Sequence, residues 1–82
     1  MSQWDKLIAD ILIINKNLRF DDLAKALTRI GYTQNQPRGG GSHFTFRKDG
    51  AKPITLPKSA SMNRAYIEMV KEAVLEYERG ED

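Results

Sequence analysis

Residues 42–57, SHFTFRKDGAKPITLP, predict a β-hairpin, and this segment constrains the fold more than any other. The dipeptide Asp49-Gly50 is a strong turn signal between two short alternating runs. Each run carries two apolar residues at alternate positions, and the four are Phe44, Phe46, Ile54 and Leu56. They share one face of the sheet only if the loop has an odd number of residues, such as residues 48–50 with Gly50 left-handed. We therefore expect these four side chains to form the buried face of the sheet.

Apolar residues at helical spacing predict three helices around this hairpin. The first covers residues 3–15 and has a capping pattern formed by Ser2 and Asp5, before a break at residues 15–18. The second lies within residues 20–32, where Asp21 or Asp22 can accept the free N–H groups of the first turn and Gly31 closes the helix. The third follows Pro57, with Ser59, Ser61 or Asn63 as its cap, and runs to a frayed tail at about residues 79–82.

Between the second helix and the hairpin, residues 32–36 predict a polar edge strand, because Pro37 cannot donate a hydrogen bond to a neighbouring strand. The element order is then α-α-β-β-β-α. We expect one domain over residues 1–82, of the α+β class, with a three-stranded antiparallel sheet and helices packed on one face.

The composition excludes several classes of protein. The chain has no cysteine and one histidine, so neither a disulfide scaffold nor a zinc site built from several Cys or His ligands is expected. The longest apolar run, residues 11–14, is too short to span a membrane. The N-terminus has no signal-peptide pattern, which favours a cytoplasmic location. We expect neither a metal nor a cofactor.

Positive charge is concentrated in the middle of the chain. Residues 38–64 hold six cationic side chains and one acidic side chain, a net charge of +5, and these cations are Arg38, Arg47, Lys48, Lys52, Lys58 and Arg64. Residues 65–82 hold two cations and six acids, a net charge of −4. The basic segment either binds a polyanion such as nucleic acid or only keeps the sheet soluble.

The single histidine, His43, opens the first hairpin strand. If Phe44 and Phe46 face the core, His43, Thr45 and Arg47 face the other side, and we expect Thr55 to lie close across the hairpin. An exposed imidazole can accept or donate a proton near neutral pH. RNA carries its own nucleophile, the 2′-hydroxyl group.

These features suit a small metal-independent ribonuclease. Arg38, Arg47, Lys52 and Lys58 would then stabilise phosphate charge, and the glycines at 39–41 would let backbone N–H groups approach a phosphate. A surface histidine is also common without any catalytic role. Nucleic-acid binding without chemistry and a non-enzymatic interaction domain therefore remain open alternatives.

The order of several short motifs resembles the HicA family of bacterial toxins over about residues 5–76. The motifs are Gly31-Tyr32 at a helix end, Gly41-Ser42-His43 at the start of a strand, the Ile-Thr-Leu-Pro stretch of residues 54–57, and the closing helix. Family members often have a second histidine where this chain has Phe44, and many lack a leading helix such as residues 3–15.

The resemblance implies a double-stranded-RNA-binding-domain-like fold and mRNA interferase activity, in which the toxin cleaves mRNA and stops translation. It assigns the catalytic role to His43 and places Gly41 and Ser42 beside it. It also implies neutralisation by a HicB-type antitoxin that covers the active site. We expect the free protein to be a monomer that binds RNA through Gly41, Ser42, Arg38, Arg47, Lys52 and Lys58.

Overall fold

The computed structural model describes residues 3–35, 43–58 and 62–80. Three helices and three strands follow one another in the order α-α-β-β-β-α, which confirms the predicted α+β class. The helices are α1 (Gln3–Leu12), α2 (Phe20–Arg29) and α3 (Arg64–Gly80). The strands are β1 (Thr33–Asn35), β2 (His43–Arg47) and β3 (Ile54–Pro57).

The three strands form one antiparallel sheet in the order β1-β2-β3, so β2 lies at the centre. Phe46 and Leu56 are fully buried, Ile54 is nearly so, and Phe44 is half-buried against the same core. The four side chains predicted to share the buried face do share it. The Phe20 ring of α2 packs on this face, with its centroid 5.2 Å from Phe44 and 6.1 Å from Phe46.

Helices cover one side of the sheet only. Among the described elements, α2 contacts β1, α3 contacts β3, and α1 packs on α2 and α3. The core contains Ile11 from α1, Leu23 and Leu27 from α2, and Val70 and Val74 from α3. No helix in the described ranges has the length and hydrophobicity that a membrane span requires.

Gly31 closes helix α2, as the sequence predicts, two residues after its last residue Arg29. Gly31 has a φ of 109°. Its N–H donates to the Thr28 carbonyl, and the N–H of Tyr32 donates to the Leu27 carbonyl, which is the Schellman arrangement. At the start of α2, Asp22 accepts from the N–H of Arg19, the residue before the helix, at 3.0 Å, rather than from an N–H of the first turn as predicted.

Helix α1 ends in the same geometry, but an isoleucine occupies the glycine position. Ile14 has a φ of 54° and donates to the Ile11 carbonyl, while Asn15 donates to the Asp10 carbonyl. The helix therefore ends at Leu12, three residues before the predicted end. The Asn15 side chain favours this reversal, because it accepts from the N–H of Asn17 at 2.9 Å.

Of the three residues predicted to cap the start of α3, the structure describes one. Asn63 is the cap among the three candidates that the described residues include, since its side-chain oxygen accepts from the N–H of Ala65 at 2.9 Å. Ser59 and Ser61 lie outside the described residues, as does Ser2 before α1. Helix α3 continues through Arg79 and Gly80, two residues of the predicted frayed tail.

The hairpin loop is odd in length, as predicted, but the three-residue version was wrong. Phe46 pairs with Ile54 and Phe44 with Leu56, so the seven residues 47–53 connect the paired ends. The N–H of Ala51 donates to the Lys48 carbonyl, which closes a turn with Gly50 at a φ of 81°. Pro53 has no N–H for the ladder, so pairing begins one residue later, at Ile54.

Candidate functional site

The face of the sheet opposite α2 and α3 carries no described helix, and we call it the open face. Pairing of the three strands places seven residues on it: Thr33, Asn35, His43, Thr45, Arg47, Thr55 and Pro57. Five of them are exposed, and Thr45 and Pro57 are half-buried. All but Pro57 carry a side chain that can form hydrogen bonds, so the surface suits a polar ligand.

His43 is exposed on the open face, as the alternation of β2 predicts. It pairs with Pro57 rather than lying opposite Thr55. Thr55 is instead the diagonal neighbour of His43 on the same face, because the loop is longer than three residues and moves the register by two residues. A ligand can reach the imidazole from the solvent side of the sheet.

A row of hydroxyl and amide groups crosses the sheet one step along from His43. Asn35, Thr45 and Thr55 occupy equivalent positions on the three strands. The hydroxyl oxygens of Thr45 and Thr55 lie 3.1 Å apart and share a hydrogen bond. Successive residues of one face are roughly 7 Å apart along a strand, so this row adjoins the imidazole.

Arg47 shares the open face with His43, but it lies at the other end of β2. The two residues are four positions apart in the sequence, which corresponds to about 13 Å along the strand. Thr33 of β1 is the partner of Arg47. A shallow groove of about 460 Å³ runs beside these two residues to the turn that contains Gly50. His43 and Arg47 therefore mark the two ends of the face.

The other two predicted cations that the structure describes, Lys52 and Lys58, are not on this face. The Lys58 ammonium lies 5.8 Å from the ring centroid of Phe44, which belongs to the covered side. Lys52 is in the hairpin loop, where it lines a groove with Glu68 and Glu72 of α3. These cations were predicted to lie near His43 because they are close to it along the chain. In the structure, the alternation of side chains along β3 directs Lys58 to the covered side, and the long hairpin loop carries Lys52 away from the face.

Lys48, which directly follows Arg47, is likewise directed to the covered side. Its ammonium lies 5.0 Å from the ring centroid of Tyr77 and 5.7 Å from that of Tyr32. The basic middle segment therefore does not form one patch. Of its cations in the described strands, only Arg47 is on the open face with His43.

Three of the predicted site residues, Arg38, Gly41 and Ser42, lie outside the described residues. Conversely, Thr33 and Asn35 belong to the open face although the sequence analysis did not select them. All three residues of β1 are polar, so no alternation reveals which of them faces which side. Only the pairing with β2 identifies them. In the part of the chain that the structure describes, no group of three or more His, Asp or Glu side chains could hold a metal ion.

One titratable group on the covered side has a shifted pKa. Burial, and to a smaller extent the nearby Glu76 carboxylate, raises the pKa of the Tyr32 hydroxyl above its usual value of 10.0. Both effects disfavour the tyrosinate.

The chain was compared with protein-family models, with curated proteins and with solved structures, and it matches none of them.

Proposed function

We propose that this chain is a HicA-like toxin, a metal-independent endoribonuclease that cleaves mRNA with His43 as its proton-transfer residue. The observation that carries the proposal is the exposure of His43 on the open face, next to a row of hydroxyl and amide side chains. The motif order around Gly41-Ser42-His43 supports the same assignment.

The proposed reaction uses the nucleophile that RNA itself provides. His43 accepts the proton of a 2′-hydroxyl group, and the 2′ oxygen forms a bond to the adjacent phosphorus. The bond from phosphorus to the 5′ oxygen breaks. The products are a 2′,3′-cyclic phosphate and a 5′-hydroxyl group. No oxidant, reductant or further reactant is needed.

The leaving 5′ oxygen requires a proton, and we assign this transfer to water. Arg47 is the only other ionisable side chain among the described strand residues of the open face. A guanidinium group does not release its proton at neutral pH, so Arg47 contributes charge rather than proton transfer. It would hold a phosphate of the same RNA chain farther along the face.

The proposal includes a HicB-type antitoxin as the protein that neutralises this activity. A protein that covers the open face would block RNA from His43 and Arg47 together. Co-expression with the product of the neighbouring reading frame tests this part, since a stable complex should co-purify and should lack RNA cleavage. A neighbouring protein that neither binds nor inhibits the chain would count against it.

The experiment for catalysis compares the wild-type protein with His43→Ala on a long single-stranded RNA in EDTA. General acid–base catalysis contributes roughly 100-fold or more, so cleavage by the variant should fall by at least that factor. The side chain is exposed, so circular dichroism and the thermal midpoint should stay near those of the wild type. Thr33→Ala, at the far end of the same face, is the matched control and should retain most of the activity.

The substrate offers a second control that does not depend on any protein variant. A single 2′-deoxy nucleotide at a mapped cleavage site should abolish scission there and leave the other sites unchanged. Equal cleavage by the wild-type and His43→Ala proteins, or cleavage at the 2′-deoxy position, would exclude the proposed mechanism.

A second candidate function is RNA binding without chemistry, and the lack of a second proton-transfer side chain among the described open-face residues favours it. In that case RNA binding weakens with salt and survives His43→Ala, and no new RNA ends appear. Site-specific scission by the wild-type protein would rule this function out.

A further inference from the structure

A second concave surface lies where α1 ends against the start of α3, on the helical side of the molecule. We call it the α1-end groove. It has a volume of about 300 Å³ and is lined by Ile13, Ile14, Lys16, Met62, Arg64 and Ile67. It is remote from the open face, because α1 packs on α2 and α3, which lie on the other side of the sheet from His43. The groove therefore lies apart from the residues proposed for RNA cleavage.

One residue that lines this groove, Ile14, has a strained backbone conformation. A residue of the L configuration in the left-handed region costs roughly 1–2 kcal/mol, and a branched β-carbon is especially unfavourable there. Ile14 adopts that conformation with a φ of 54° while its half-buried side chain packs against the core. Such strain persists when the surrounding structure imposes it, and it is frequent at binding sites.

The reversal at Ile14 leaves its neighbour in solvent. Ile13 is 71% exposed, the largest value for a large hydrophobic residue in the described part of the chain. Glycine at position 14 would form the same turn without strain, as Gly31 does at the end of α2. Core packing accounts for the isoleucine at position 14, but stability alone does not account for the exposure of Ile13.

The charges around the groove indicate what would cover it. Among the described residues that line it, Lys16 and Arg64 are the only ionisable ones, and none is a carboxylate. Arg64 contacts Glu68 at 3.1 Å, but both side chains are largely exposed, and such a surface pair contributes little stability. The guanidinium is therefore readily available to another carboxylate.

We infer that the α1-end groove docks an acidic segment of a partner protein, which places an apolar side chain against Ile13 and a carboxylate near Lys16 and Arg64. A purely apolar segment would leave the two cations without a counter-charge. A nucleic acid would satisfy the cations but would offer no aliphatic side chain to cover Ile13. A segment that combines both properties matches the surface.

Titration of the full chain with a synthetic peptide tests this inference. The probe is a helical peptide with leucine at every third or fourth position and glutamate elsewhere on its surface. Its binding is monitored by two-dimensional NMR of the ¹⁵N-labelled protein. Saturable shifts should appear at residues 13–16 and 64–67 and should weaken with salt. The same peptide with lysine in place of glutamate should not bind.

Two variants make the test specific. Ile13→Ser should weaken peptide binding by about tenfold or more, because one apolar side chain loses its contact. Leu75→Ser is the matched control, since Leu75 of α3 is also a partly exposed apolar residue, at 38%, and does not line the groove. Neither position is buried, so both variants should fold, and RNA cleavage by Ile13→Ser should equal that of the wild type.

Several results would overturn the inference. They are an absence of saturable shifts, equal binding of the lysine peptide, and unchanged affinity in Ile13→Ser. A further one is self-association of the free chain that Ile13→Ser abolishes in sedimentation equilibrium, because the occupant would then be a second copy. Loss of RNA cleavage in His43→Ala bears on none of these outcomes, so the two proposals can fail separately.

Discussion

Neighbouring residues of β2 lie on two faces of the sheet with opposite properties. Phe44 and Phe46 are packed under α2 and make the fold, whereas His43, Thr45 and Arg47 face solvent. A change on the covered face therefore acts on stability first. A change on the open face leaves the core intact and acts on what the surface binds. This separation means that loss of folding and loss of function can be tested with adjacent residues.

The largest effect is expected from truncating the covered face at Phe46. Phe46 is 0% exposed, and Phe46→Ala should reduce the free energy of unfolding by about 3–5 kcal/mol. Thr45→Ala, one residue earlier and on the open face, should cost less than about 1 kcal/mol. Urea denaturation of both variants measures the difference. Similar losses in the two would mean that the faces are not energetically distinct.

A smaller effect, on RNA affinity, is expected to differ between substitutions of Arg47 and Lys58. Each substitution removes one positive charge, but the two residues lie on opposite sides of the sheet. In a His43→Ala background, Arg47→Gln should weaken binding of labelled single-stranded RNA and lower its salt slope by about 1. Lys58→Gln should have less than about half of that effect on the slope. Fluorescence anisotropy at several salt concentrations gives both values. Equal losses would place RNA on more than the open face.

The hydroxyl pair of the open face should contribute little to stability. Thr45→Val keeps the shape of the side chain and removes the 3.1 Å hydrogen bond to Thr55. Because both hydroxyls can bond to water instead, the expected loss is about 0.5–1 kcal/mol. Thr33→Val, which leaves the pair intact, serves as the reference in thermal unfolding. A loss above about 2 kcal/mol would show that this row also supports the fold.

The smallest effect concerns pH and lies on the covered side. The folded protein holds the Tyr32 proton more tightly than the unfolded chain, so the contribution of this group is complete below pH 10.0 and declines as the pH rises through the raised pKa. Wild-type protein should therefore lose more stability between pH 9 and about pH 11 than Tyr32→Phe does. Urea midpoints across this range test the difference. Parallel pH profiles would contradict it, and around neutral pH this group adds no pH dependence, because it is protonated in both states.

Much of the fold could be predicted from local patterns. Period-two alternation identified the buried face of the hairpin and, from it, the outward direction of His43. Gly31 ended α2 because glycine adopts positive φ at no steric cost. Asn63 began α3 because its side chain can replace a missing backbone partner. Each of these predictions needs only residues close together in the chain.

The remaining features depend on contacts that no local pattern specifies. An odd number of loop residues determines which face a residue occupies, but it does not determine which residue lies opposite it on the next strand. The sequence therefore did not predict that His43 lies opposite Pro57. The sequence could not place Lys58 over Phe44, since a flexible cation and an aromatic ring attract each other only once the strands are paired. Ile14 could not be expected at positive φ, because packing against the core imposes that conformation.

The strands lie side by side in the same order in which the chain makes them. All open-face residues that the structure describes consequently fall between residues 33 and 57, while the helices that support them come before and after. The surface proposed to bind RNA is thus encoded by one continuous segment of the chain. Changes within this segment leave the order of the helices unchanged, and its apolar residues must still fit the helices that cover them.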